Sequence, residues 1–159
     1  MKYYVPMHKS NYSDFDIDAD SFTQYIGYYA ITSSADLKAF ANLVNGGTNN
    51  INGVVTQTFT IDVADFTPIG TSSYPFRGIF TKYYGNIQLS ASSLTATTSR
   101  QYQGLFGYNS GTIEKIIFKL KNVTIKGTSY VGGIAGYNSG TIKGCQVSYT
   151  TAGGIEGTY

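Results

Sequence analysis

Gly104-Leu105-Phe106-Gly107-Tyr108-Asn109-Ser110-Gly111-Thr112-Ile113 is followed by Gly133-Ile134-Ala135-Gly136-Tyr137-Asn138-Ser139-Gly140-Thr141-Ile142. The two stretches start 29 residues apart, and Tyr-Asn-Ser-Gly-Thr-Ile is identical in both. Self-similarity at a period of about 20 to 50 residues marks a chain of stacked units, none of which can bury its apolar face alone. Two fainter echoes flank the pair. Gly78-Ile79-Phe80 lies 26 residues before Gly104-Leu105-Phe106, and Gly154-Ile155 lies 21 residues after Gly133-Ile134. Four copies at unequal spacing predict a mainly β fold, a parallel β-helix of about four coils that sheds its length differences into loops.

Within one copy, strand alternation predicts Leu105 inward and Phe106 outward, or the reverse. Gly104, Gly107, Gly111, Gly133, Gly136 and Gly140 suit the corners between faces. Asn109 and Asn138 suit a ladder of side-chain amides running from coil to coil. The expected core comprises Ile113, Ile116 and Phe118, then Ile142, Cys145 and Val147, with Val123 and Ile125 on a further face. The competing reading is an antiparallel sandwich containing two similar hairpins.

One helix is expected, over 34–45. Ser33 or Ser34 caps it, Asp36 sits in the first turn, and Leu37, Phe40, Ala41 and Val44 form one apolar stripe. Asn45-Gly46-Gly47 ends it. A lone amphipathic helix ahead of a run of strands predicts a cap over the N-terminal end of the stack. Val54 to Ile61 reads as a strand by its alternation, and Pro68 argues against a central strand position nearby. This divides the chain into an irregular, Tyr-rich arm over 1–30 and a capped solenoid over 31–159.

The ordered series resembles the GLUG-motif repeats of bacterial surface proteins. Gly104-Leu105-Phe106-Gly107 and Gly133-Ile134-Ala135-Gly136 are similar to the motif itself. Ile31-Thr32-Ser33-Ser34-Ala35-Asp36-Leu37-Lys38-Ala39-Phe40-Ala41 resembles the helical cap that precedes it. Phe66-Thr67-Pro68-Ile69-Gly70 and Phe76-Arg77-Gly78-Ile79-Phe80 resemble the lead-in to the coils. The likeness spans about residues 28–157. It departs at Phe66, where the family commonly has Trp, and at 81–88, which follow only loosely the usual Asp-Gly-x-Gly-His segment. The resemblance implies a right-handed parallel β-helix in large exported proteins, among them adhesins and a region flanking IgA-cleaving metalloproteases. It implies no catalytic residue, because the motif carries none.

Composition narrows the chemistry. Charged residues make up 13% of the 159, so Ser, Thr, Asn and Tyr supply most of the surface polarity. A net charge of +2 with no basic run argues against nucleic acid as the main partner. No apolar stretch approaches the roughly 18 residues that span a bilayer. His8 is the only histidine and Cys145 the only cysteine, so a catalytic triad has almost nothing to draw on and no disulfide forms within the chain. Cys145 reads as a small buried apolar residue. Asp14, Asp16, Asp18 and Asp20 alternate as in the start of a calcium loop, but the Gly and Glu that complete such a loop are missing. A solvated acidic stretch is the alternative.

The expectation is therefore a non-catalytic module without cofactor or metal, at the cell surface or outside the cell. It serves as a stalk, a spacer or a self-assembling fibre subunit. Self-association is expected at the edge formed by Gly153, Gly154, Ile155 and Tyr159, either with further coils of a longer chain or head to tail with a second copy. Two alternatives stay open. One is carbohydrate binding by an aromatic strip of Tyr83, Tyr84, Tyr102, Tyr108, Tyr130 and Tyr137. The other is a polysaccharide-active β-helix enzyme, for which Glu114 and Glu156 are the acids within the coils.

Overall fold

Apolar side chains on short strands need a second surface to cover them, and here each strand finds it in the next layer of the same chain. The computed structural model describes residues 25–62, 65–90, 100–150 and 154–157. Strand β1 (Tyr29–Ile31) precedes helix α1 (Ser34–Asn45); β2 (Gly53–Val55), β3 (Phe59–Asp62), β4 (Ile79–Lys82) and β5 (Ile87–Ser90) follow. The repeated region then gives two sets of five. The first is β6 (Gln101–Gln103), β7 (Phe106–Asn109), β8 (Thr112–Glu114), β9 (Ile117–Lys121) and β10 (Thr124–Gly127). The second is β11 (Ser129–Val131), β12 (Ala135–Asn138), β13 (Thr141–Lys143), β14 (Gln146–Tyr149) and β15 (Gly154–Gly157).

Every pairing between these strands is parallel, which removes the antiparallel sandwich. One face stacks β1-β2-β4-β8-β13 and a second stacks β3-β5-β9-β14. The pairs β6–β11, β7–β12 and β10–β15 complete the last two layers. Among the described residues the fold is a β-solenoid with one α-helix.

The winding has about three turns instead of the expected four. The two outer motif copies do not stack on the central ones. Ile79 pairs with Thr112 and Phe80 with Ile113, so Gly78 lies under Gly111 and not under Gly104. Gly154 and Ile155 pair with Thr124 and Ile125, and not with Gly133 and Ile134. Only the central pair stacks as copies: Phe106 lies against Ala135, Tyr108 against Tyr137 and Asn109 against Asn138.

Two further expectations are corrected. Val54 to Ile61 is two strands on different faces, because the chain turns a corner at 56–58 and buries both Val54 and Val55. Leu105 and Phe106 are both buried, because Leu105 sits at a corner before β7 begins, where alternation does not yet apply. Tyr29–Ile31 forms the first strand of the main face.

Helix α1 has Ser33 as its N-cap, and the Ser33 hydroxyl accepts a hydrogen bond from the Asp36 amide. The Asp36 carboxylate reaches back to accept from the Thr32 amide and hydroxyl. Leu37, Phe40, Ala41 and Val44 are buried beneath it. Phe40 meets Phe76 and Phe80 at ring separations of 5.9 and 5.5 Å, and both of those meet Phe106 at 5.1 and 5.0 Å. A column of phenylalanines thus runs from the helix into the repeat, and it stops at Ala135 in the last layer.

Positive φ recurs at equivalent positions, within short strands as well as between them. Tyr102 and Tyr130, equivalent in successive layers, both have positive φ (59° and 56°). Lys115 and Gly144, also equivalent, have φ of 63° and 62°. Only glycine adopts this region without a steric cost.

Candidate functional site

The repeated hexapeptide directs its polar groups along the solenoid axis. Asn109 is completely buried. Its Nδ2 donates to Asn138 Oδ1 at 2.7 Å and to the Gly111 carbonyl at 3.2 Å, and its Oδ1 accepts from the Gly111 amide at 3.0 Å. Asn138 repeats the local pair with Gly140 one layer up, where it is exposed. Ser110 and Ser139 hydroxyls meet at 2.8 Å. Each amide therefore closes its own turn and bonds the next layer.

The glycines act by close approach. A Cβ on Gly111 would lie 2.2 Å from the Gly78 carbonyl oxygen, and one on Gly140 would lie 2.1 Å from the Gly111 oxygen. Gly107 and Gly136 face the carbonyls of Tyr102 and Tyr130 at 2.8 and 2.3 Å. Gly104 would meet the Gly132 carbonyl at 2.8 Å, and Gly133 the Val147 side chain at 2.7 Å. Backbone atoms cannot step aside as a flexible side chain can, so the Gly78–Gly111–Gly140 column admits no larger residue.

The expected aromatic strip divides in two. Tyr102, Tyr108, Tyr130 and Tyr137 form one cluster: Tyr102 stacks on Tyr130 at 4.8 Å and 3°, and Tyr108 lies 4.4 Å from Tyr137. The Tyr108 hydroxyl is pushed above the ordinary tyrosine range, first by desolvation and then by its neighbour Tyr137. Tyr83 belongs elsewhere, against Tyr25 at 6.0 Å, and Tyr84 is exposed. Burial raises the Tyr25 and Tyr28 hydroxyls, with the Glu114 carboxylate adding to both shifts. Because the Tyr102 and Tyr130 faces cover each other, the cluster is a ladder between layers and not a flat platform. Beside it, Asn45, Pro68, Ser72, Arg100, Gln101 and Tyr102 line a groove of about 250 Å³.

Residues expected in the core of the second copy are only partly covered. Ile142 is exposed, and Cys145 and Val147 are half-buried, whereas their counterparts Ile113, Ile116 and Phe118 are fully buried. Among the described residues, the outer edges of β11 to β15 pair with nothing further. Gly154 and Ile155 lie on this edge; Gly153 and Tyr159 fall outside the described residues, as do His8 and Asp14 to Asp20. Burial pushes the Cys145 thiol up.

Two ion pairs join the last layers: Lys143 with Glu114 at 3.6 Å and Lys126 with Glu156 at 3.1 Å. The residue-by-residue reading passed over them because it treated the acids singly. Applying the 29- to 30-residue layer spacing to the charges finds both. Glu114 and Glu156 each face a lysine and do not face each other. No group of three or more metal-ligating side chains occurs among the described residues.

Comparison with family models, curated proteins and solved structures returned no match.

Proposed function

We propose that this chain is a non-catalytic structural module of the GLUG-repeat type, working as a stalk, spacer or fibre element at the cell surface or outside the cell. One observation carries the reading. The repeated residues are engaged between layers: Asn109 on Asn138, Ser110 on Ser139, Tyr108 on Tyr137, and the glycine column on its carbonyls. What repeats in this sequence serves stacking between layers. A stack of five strands at ~4.8 Å spacing makes a rod about 19 Å long, and its length scales with the number of layers.

Carbohydrate binding is the second reading, favoured by the groove beside Tyr102. Arg100 and Gln101 offer hydrogen-bond donors there next to an aromatic ring. Sizing and electron microscopy at rising concentration, with a glycan array in parallel, decide between the two. A stiff monomer or axial assemblies without glycan hits support the structural reading. Saturable glycan binding that Tyr102→Ala abolishes overturns it in favour of the second.

A further inference from the structure

The exposed last turn presents the same sequence that the turn beneath it presents to its neighbour. What docks on Tyr137-Asn138-Ser139-Gly140-Thr141-Ile142 therefore resembles what docks on Tyr108-Asn109-Ser110-Gly111-Thr112-Ile113, namely another copy of the repeat. Three features define that copy. The glycine column requires Gly over Gly140, since each member so far stands within 2.2 Å (for an added Cβ) of the carbonyl below. The amide ladder continues with Asn over Asn138, and Ile142 takes an aliphatic side chain. The charges alternate: Glu114 lies under Lys143, and Lys126 under Glu156.

We infer that the open turn docks a parallel strand segment bearing this repeat, with an acid over Lys143 and a base over Glu156. The sequence of 101–127 meets all these conditions, with Glu114 and Lys126 in the two charged positions, and serves as a free peptide because in the folded chain it is already covered by the layers on either side. The sequence of 130–157 meets the steric ones but sets Lys over Lys143 and Glu over Glu156. Docking adds strands to exposed edges through main-chain hydrogen bonds, while the charges select which repeat fits. The inference rests on the stacking reading and names its partner.

The test adds synthetic peptides to the full chain and follows amide hydrogen exchange. The 101–127 peptide is expected to bind saturably and to protect β13 and β14. Two exposed pairs changed from attraction to repulsion weaken binding about tenfold, so 101–127 carrying Glu114→Lys and Lys126→Glu, and likewise 130–157, bind that much less well. The peptide with Gly111→Ala does not bind. A chain carrying Lys143→Glu and Glu156→Lys reverses the order of the matched and charge-swapped peptides. Absence of protection, protection elsewhere, or equal binding by all the peptides overturns the inference. Glycan binding would instead overturn the structural reading and leave the peptide order standing.

Discussion

Asn109→Ala removes the buried one of the two ladder amides, and the cost can be built from its partners. The part-buried Gly111 amide loses its acceptor, and a donor left without a partner costs about 1–3 kcal/mol where water cannot reach it. The bond to Asn138 contributes about 1 kcal/mol more. The third bond is worth less, because the Gly111 carbonyl also accepts from the Thr141 amide. The sum is about 2–4 kcal/mol, which at about 2.1 cal/mol/K per residue lowers the melting temperature by roughly 6–12 °C. Asn138→Ala removes the same residue type from the same hexapeptide, but at an exposed position where water replaces the amide, and should cost only about 1 kcal/mol. Asn109→Asp keeps the acceptor for Gly111 but turns a carboxylate oxygen toward the Asn138 and Gly111 oxygens. Its folded pKa is therefore raised, and the variant regains stability as pH falls through that value, when the proton supplies the missing donor. Urea unfolding, followed by the 15 tyrosines since the chain has no Trp, measures all three. Equal costs for Asn109→Ala and Asn138→Ala, or a cost below about 1 kcal/mol for the first, would refute the reasoning.

Further outcomes follow from the same geometry. Gly111→Ala drives a Cβ to 2.2 Å from a carbonyl oxygen and should cost more than the about 1–3 kcal/mol of ordinary overpacking, seen as loss of the cooperative transition. Lys115→Gly should stabilise by about 0.5–1 kcal/mol in urea titrations, because it relieves a positive φ that Gly144 already relieves one layer up. Phe106→Ala opens the aromatic column and should cost about 3–5 kcal/mol in the same titrations. The Cys145 thiol and the Tyr25 and Tyr28 hydroxyls are all raised by burial, so the folded state holds these protons longer than the unfolded chain does. Their contribution is complete below the ordinary thiol value of 9.0 and is lost as pH rises through the folded values, so melting temperature should be level through neutrality and fall in alkali. Thiol labelling against pH should show a midpoint above that value.

The sequence by itself determined the elements whose signals are local or periodic. Ser33, Asp36 and the stripe from Leu37 to Val44 specify α1, because caps and helical spacing act within a few residues. The 29-residue identity specified that Asn109 would meet Asn138, because identical sequences held in parallel register stack like on like. What only the tertiary structure decided was how unlike segments pair. Gly78 resembles Gly104 in sequence yet lies under Gly111, because loop 70–75 lengthens one turn and shifts the register. Ile155 resembles Ile134 yet stacks on Ile125, a partner set by the length of its turn and not by its neighbours in sequence. The same holds for burial: Ile113 and Ile142 share one hexapeptide, and the first is core and the second exposed, because among the described residues only the first has a layer on each side. Short-range pattern states which side chains suit an interior. Whether an interior exists at that point depends on what the chain stacks above and below.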